Sequence, residues 1–349
     1  MMPSRRLLER WLLEKKIGKR EVMDSFLGMK MDEGDFRPIL TNLNGDSSWL
    51  MSFPRPIPER IITRRTFFHV AVDPWLVETP GIVLASWFSY VRRRAGATIL
   101  NGAAVNAIVR NIEKAAGSSG HADASVDAIC ICNNGGDHMH YDTLTTFSPT
   151  VPVFVTPGPA LFMPRWGHFT TITSIAKFDK ASSWQTTHPG DPLPSWLNIM
   201  RVNTFKIPFG IAFIWSHGDV NLKHETFLYY PHGCKPDTDE ALSYFLESSP
   251  RPEILALMHP TKDVYRNESV VTSGVREGIK SWRKTNPKYW IVTHNGHVEY
   301  RGLATWGMRD QFRTLEWGLD MLEKGEGHVP FSTSRLNLVE VRNGGYQTL

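Results

Sequence analysis

The chain has 349 residues, 41% of them hydrophobic and 21% charged, which is enough to bury a sizeable core as one large domain or two smaller ones. No apolar run approaches the ~20 residues of a membrane span, and three cysteines (Cys130, Cys132 and Cys234) cannot form a disulfide framework, which points to a reducing, cytoplasmic setting. The net charge of +4 resides in residues 1–30, where eight Lys/Arg meet four Asp/Glu; the remainder is near neutral and lacks the basic face of a nucleic-acid-binding body.

Ser4 to Gly28 reads as an accessory helix, with Ser4 as cap and Leu7, Leu8, Trp11 and Leu12 as an apolar stripe. Its basic face suits peripheral membrane contact. Glu9, Glu14, Glu21 and Asp24 break the pattern of a targeting segment, so packing on the body is the favoured reading. Residues 38–53 read as a hairpin around Asn44-Gly45-Asp46, followed by a stiff connection at Pro54-Arg55-Pro56-Ile57-Pro58. Thr66 to Val72 is a strand ending at Asp73-Pro74-Trp75-Leu76. Ile99 to Ala115 has helical spacing, and Gly117 to Gly120 is a loop. Val126 to Cys132 is a buried strand in which Cys130 and Cys132 are small core residues.

Further strands are predicted at Val151 to Val155, Trp196 to Val202, Ile211 to Trp215, Phe227 to Tyr230, Ile254 to Met258 and Tyr289 to Val292. Helices are predicted at Asp239 to Glu247, Val275 to Lys284 and Arg309 to Glu323. The tail from 326 to 349 reads as irregular. No internal repeat or low-complexity tract is present.

The chemistry gathers at strand ends. Five predicted strands end in Asp73, Asp137/His138, His232, His259 and His294. A single histidine after a strand is ordinarily a satisfied core or surface residue. A series of them, from separate parts of the chain, is what a metal site at the mouth of a layered α/β fold requires. Asp137, His138 and His140 follow one strand through a glycine-bearing turn. An Asp with two His suits zinc first, and iron or manganese as well.

These residues carry a resemblance to the metallo-β-lactamase-fold superfamily, nearest to its fungal members and more remotely to the branch containing N-acyl phosphatidylethanolamine phospholipase D. The resemblance runs from about Leu40 to Trp306. It rests on Leu43-Asn44-Gly45-Asp46-Ser47-Ser48-Trp49, Val72-Asp73-Pro74-Trp75-Leu76, Gly136-Asp137-His138-Met139-His140, Tyr230-Pro231-His232-Gly233 and Tyr289-Trp290-Ile291-Val292-Thr293-His294. It implies a four-layer αββα sandwich over residues 38–325, with metals at one edge. The superfamily's His-x-His-x-Asp-His motif is degenerate here. Its window is Asn133-Asn134-Gly135-Gly136-Asp137-His138, so both leading histidines are replaced, and the third first-site histidine has no counterpart, although His188 and His217 lie in its region. The resemblance therefore implies one retained site for a divalent metal, held by Asp137, His138 and His294. His232 stands in for the bridging carboxylate, and Asp73 and His140 orient the ligands from behind.

Three functions fit these observations. The first is a metal-dependent hydrolase-like enzyme acting on a small molecule. The second is a degenerate member that binds without turnover, and the third is a mononuclear iron enzyme of secondary metabolism. Loss of the leading histidines favours the second and third over a two-metal hydrolase. Retention of Asp137, His138 and His294 favours the first.

Overall fold

The computed structural model describes residues 36–83, 85–181, 183–203, 210–216, 223–326 and 336–349. The accessory helix expected over residues 1–30 lies outside the described residues, as does His217. The chain enters with β1 (Ile39–Asn42) and β2 (Trp49–Pro54), joined at the predicted turn. The short α1 (Ile57–Thr63) replaces the expected stiff connection and leads to β3 (Phe67–Val72). Next come a small hairpin, β4 (Gly81–Val83) and β5 (Ser89–Arg93), and then α2 (Gly102–Ala115). They are followed by β6 (Ala128–Ile131), α3 (Tyr141–Leu144), β7 (Val153–Val155), α4 (Pro157–Phe162) and β8 (Ile172–Ser174).

The second half contributes β9 (Leu197–Arg201), β10 (Ile211–Ser216), β11 (His224–Tyr229), α5 (Glu240–Leu246), β12 (Glu253–His259), β13 (Asp263–Arg266) and β14 (Ser269–Thr272). After α6 (Val275–Thr285) come β15 (Tyr289–Val292), β16 (Val298–Arg301), β17 (Met308–Gln311), α7 (Leu315–Glu326), β18 (Leu338–Val339) and β19 (Tyr346–Thr348).

Among the described residues two large mixed sheets form, ordered β19-β1-β2-β3-β6-β7-β8 and β18-β15-β12-β11-β10-β9. Their strands are apolar on both faces, and alternation sorts the side chains. In β2, Trp49, Met51 and Phe53 point into a core shared with Phe213, Trp215 and Phe227 of the other sheet. Leu50 points the opposite way, into a second core with Val105, Ile108, Val109 and Ile112 of α2. In β10, Ala212 and Ile214 face a third core with Leu242, Phe245, Ile279 and Leu322 from the helices on that side. Three cores separate four layers, which is the αββα metallo-β-lactamase-like sandwich expected from the sequence.

The helices form for local reasons. The four buried apolar positions of α2 recur at helical spacing, and the Asn101 side chain caps its start by accepting from the Ala104 amide at 2.9 Å.

Two expectations need correction. The helix predicted over Arg309 to Glu323 begins only at Leu315, where the Thr314 hydroxyl accepts from the Trp317 amide at 3.2 Å. Met308–Gln311 instead pairs antiparallel with β13, so strand pairing overrides local propensity. The tail is not irregular where described. Leu338–Val339 adds a parallel strand beside β15, and Tyr346–Thr348 pairs antiparallel with β1. These strands are too short for a period to show in sequence.

One buried polar cluster pins α2 to the first sheet. The Glu113 carboxylate accepts from the Thr66 and Phe67 amides at 2.8 and 2.9 Å, from the Ser118 hydroxyl, and from His69 Nε2 at 3.0 Å. Burial pushes this carboxyl up, but His69, Ser118 and the Thr66 amide outweigh it and bring it from 4.5 to about 2. A carboxyl held lower in the folded chain stabilises fully above its unfolded value, and loses that contribution as pH falls from there through its folded value. Glu113→Gln is therefore expected to lower the unfolding free energy at neutral pH by on the order of 3 kcal/mol. Urea titrations should show the gap to the parent closing between pH ~4.5 and ~2. A gap independent of pH would assign the effect to packing.

Candidate metal centre

The C-terminal ends of β3 and β6 in one sheet, and of β11 and β15 in the other, meet at one edge of the sandwich. β3 and β6 are adjacent and parallel, so the residues just past them are neighbours. The loop after β6 folds through Gly135 and Gly136 and delivers Asp137 and His138. His232 follows β11, and His294 follows β15.

The three imidazoles converge, with one nitrogen from each lying within 4.8 Å of the others. His138 Nε2 stands 3.0 Å from His232 Nε2. The Asp137 carboxylate lies 3.6 Å from His138 Nε2 and 3.8 Å from His294 Nε2. The three histidines and the aspartate expected to form the site are thus brought together. His138 and His294 are buried, His232 is half-buried, and the Asp137 side chain is 19% exposed, so the centre opens on the side of the last two.

Each ring is held from behind. His138 Nδ1 donates to Asp73 Oδ2 at 2.8 Å, and His294 Nδ1 donates to Asp46 Oδ2 at 3.0 Å. His232 Nδ1 meets the Thr272 hydroxyl at 3.0 Å. A carboxylate only accepts, so Nδ1 of His138 and of His294 carries the proton and Nε2 faces the centre. Asp73 sits where a residue past β3 was expected to reach the site. It also accepts from the Cys132 amide at 2.8 Å, from the Cys132 thiol and from Tyr229 Oη at 2.9 Å.

Charge follows geometry. Burial alone would lower His138, but Asp137 and Asp73 raise it to about 9. Burial lowers His232, and its neighbours His294 and His138 lower it further. Burial would raise the Asp46 carboxyl, yet His294, Lys262 and the Gly296 amide take it well below the usual carboxylate range.

Other predicted positions fall elsewhere. His140, expected to orient a ligand, starts α3 instead; its Nδ1 meets Thr143 Oγ1 at 2.9 Å and its Nε2 meets Thr79 Oγ1 at 3.3 Å. Two residues past His138 the chain is already turning into a helix, which carries the ring away. His259 is a satisfied core histidine, with Nδ1 on the Pro260 carbonyl and Nε2 accepting from the Cys234 amide. Burial lowers it to about 4. His188 Nε2 donates to the carbonyls of Pro194 and of Leu197 at the start of β9. Sequence reasoning missed Asp46, Tyr229 and Lys262. Asp46 lay inside a quoted motif but was read only as a turn residue. Lys262 is buried and donates from Nζ to the Gly296 carbonyl at 2.5 Å, fixing the loop after His294.

No protein-family model matches the sequence, and no curated protein matches it. Solved structures are similar in fold. A possible metal-dependent hydrolase from Veillonella parvula superposes with a TM-score of 0.51 at 10% identity, over 90% of this chain and 100% of that one. An isothiocyanate hydrolase from Delia radicum gut bacteria gives 0.50 at 11%, over 89% and 98%. The metallo-beta-lactamase fold protein YhfI from Bacillus subtilis gives 0.44 at 11%, over 89% and 99%. At such identities the likeness is one of fold, and the chain is a mixed α/β protein of the metallo-β-lactamase fold with a candidate metal-binding cluster at the sheet edge.

Asp73→Asn places an amide N–H against groups that already donate, and it removes the charge that holds the His138 ring. Metal affinity is expected to fall about 10–100-fold, with a lowered melting temperature. Isothermal titration with zinc and a thermal melt check both, and unchanged affinity would separate Asp73 from the centre.

Proposed function

We propose that the protein is a metal-dependent hydrolase acting on a small molecule, with one divalent ion held by His138, His232, His294 and Asp137. The observation that supports this most is the convergence of three Nδ1-anchored imidazoles beside a partly exposed carboxylate. Three imidazoles and one carboxylate suit zinc, and also iron or manganese.

The chain's own groups have distinct tasks in this reading. Asp73 and Asp46 fix tautomer and ring orientation, so that each imidazole presents Nε2 inward. Thr272 steadies the half-buried His232. Asp137 supplies negative charge at the open side. Asn133 stands beside His232, with its Nδ2 3.3 Å from His232 Nε2, and yields the lone pair of that ring nitrogen when the ion is bound. When bound, such an ion brings the pKa of a coordinated water to about 7 and polarises a substrate carbonyl or its equivalent. Uncharged esters, thioesters and isothiocyanates are the substrates to test first, the last because a structural neighbour hydrolyses them.

Protein purified without chelator is expected to hold about one divalent ion per chain by elemental analysis. His138→Ala and His294→Ala should each lose the ion and any hydrolysis the parent shows, while circular dichroism stays close to the parent's, since the ligands lie outside the three cores. Two tightly held equivalents would overturn the single-ion reading. Full turnover in the metal-free variants would overturn the metal dependence of that hydrolysis.

A further inference from the structure

A cleft of about 630 Å³ lies against the loop that carries Asp137 and His138. It is walled by Ile82 and Val83 of β4, by Met139, and by the rings of Tyr141, Phe162 and Trp166. Tyr141, Ile82 and Phe162 are 51, 45 and 37% exposed despite their size and apolar character. The Tyr141 ring meets Trp166 edge-on, with centroids 5.0 Å apart.

Asp142 and His140 at the rim are already partnered. The Thr79 hydroxyl donates to Asp142 at 2.6 Å, and His140 sits between Thr143 and Thr79. Among the described residues no Lys or Arg lines the cleft. It therefore presents mostly apolar surface, the Asn134 side chain and one carboxylate, and the Arg165 guanidinium outside its lining lies over the Phe162 ring, 5.9 Å from the centroid.

Cleft and imidazole centre share the Asn133–Met139 loop: Asn134, Gly136 and Met139 line the cleft, while Asn133, Asp137 and His138 face the centre. A Cβ on Gly136 would stand 2.6 Å from the Gly81 carbonyl carbon, and one on Gly135 would stand 2.6 Å from Asp137 Oδ1. The turn therefore packs its backbone directly on β4 at Gly81, which fixes this cleft wall against the loop of Asp137 and His138.

We infer that this cleft binds the uncharged apolar part, aryl or alkyl, of a small-molecule substrate whose reacting group lies at the imidazole centre; the inference rests on the hydrolase reading above. The volume falls in the ~300–1,000 Å³ range of small-molecule sites, and the mix of apolar walls with a few fixed polar groups is typical of them. Asp142, in a lining that among the described residues holds no Lys or Arg, disfavours carboxylated or phosphorylated groups, which gives the site its selectivity.

The test uses two naphthylamine probes on the full chain. Neutral N-phenyl-1-naphthylamine is expected to bind saturably, and its sulfonated analogue, 1-anilinonaphthalene-8-sulfonate, about tenfold or more weakly. Ile82→Arg should weaken the neutral probe about tenfold, and Phe162→Ala several-fold. Leu338→Arg, at a similarly exposed apolar position on β18, should leave it unchanged. Equal binding of the two probes overturns the inference. So does parental affinity in both cleft variants, or an equal loss in Leu338→Arg. Should Ile82→Arg fail to fold, Phe162→Ala decides. Elemental analysis runs alongside. Metal absent with the probe site intact sinks the hydrolase reading alone, whereas metal present with no probe site sinks only this inference.

Discussion

Asp73 is wholly buried at the end of β3, and its carboxylate accepts from four donors: the Cys132 amide and thiol, His138 Nδ1 and Tyr229 Oη. A lone carboxylate taken from water into a protein interior costs several kcal/mol. Here the cost is offset only while all four donors keep their places. Three belong to the first sheet and Tyr229 belongs to the second. The spacing of the two sheets at this edge and the orientation of the His138 ring are therefore one constraint. Asp46 repeats the arrangement. It sits in the hairpin of the first sheet and binds His294 and the Gly296 amide beyond β15 of the second.

The backbone is shaped to reach these positions. Asp73 and His294 both adopt left-handed conformations, with φ of 45° and 53°. Such conformations are costly for residues with a Cβ, though Asp, Asn and His accept them more readily than most. At both positions the chain leaves an extended strand and must turn its side chain sharply into the gap between sheets. The hydrogen bonds at each end hold the turn. Strain and function coincide there because the side chain that needs the bend is also the one that orients, or forms, the centre.

Much of this was legible in the sequence because it is local. Apolar runs located the strands, and the polar residues straight after them marked the edge where Asp137, His138, His232 and His294 converge. What stayed hidden depends on partners distant in sequence. Nothing near Asp46 announces that His294 will bind it, and nothing near Tyr229 points to Asp73. His259 and His140 have the same local signature as the converging residues. They differ in that both ring nitrogens are taken by partners away from the cluster, a carbonyl and an amide for His259 and two threonines for His140. The strand at Met308–Gln311 was read as helix for the same reason, since β13, its partner, lies more than forty residues earlier.

The loop from Asn133 to His138 supports the proposed centre. Asn133 Oδ1 accepts from the Gly135 amide at 2.8 Å, closing the turn, while its Nδ2 reaches His232 Nε2. Its amide therefore does two structural tasks at a position where the resembling superfamily carries a histidine. At Gly135 the restriction is steric, because a Cβ would press on Asp137 Oδ1. A histidine there could enter only by displacing the carboxylate at the open side of the cluster. With His188 tied to the Pro194 and Leu197 carbonyls, the donors that this loop geometry favours are those of Asp137, His138, His232 and His294. This favours the proposed single-ion centre over a two-ion centre with ligands missing.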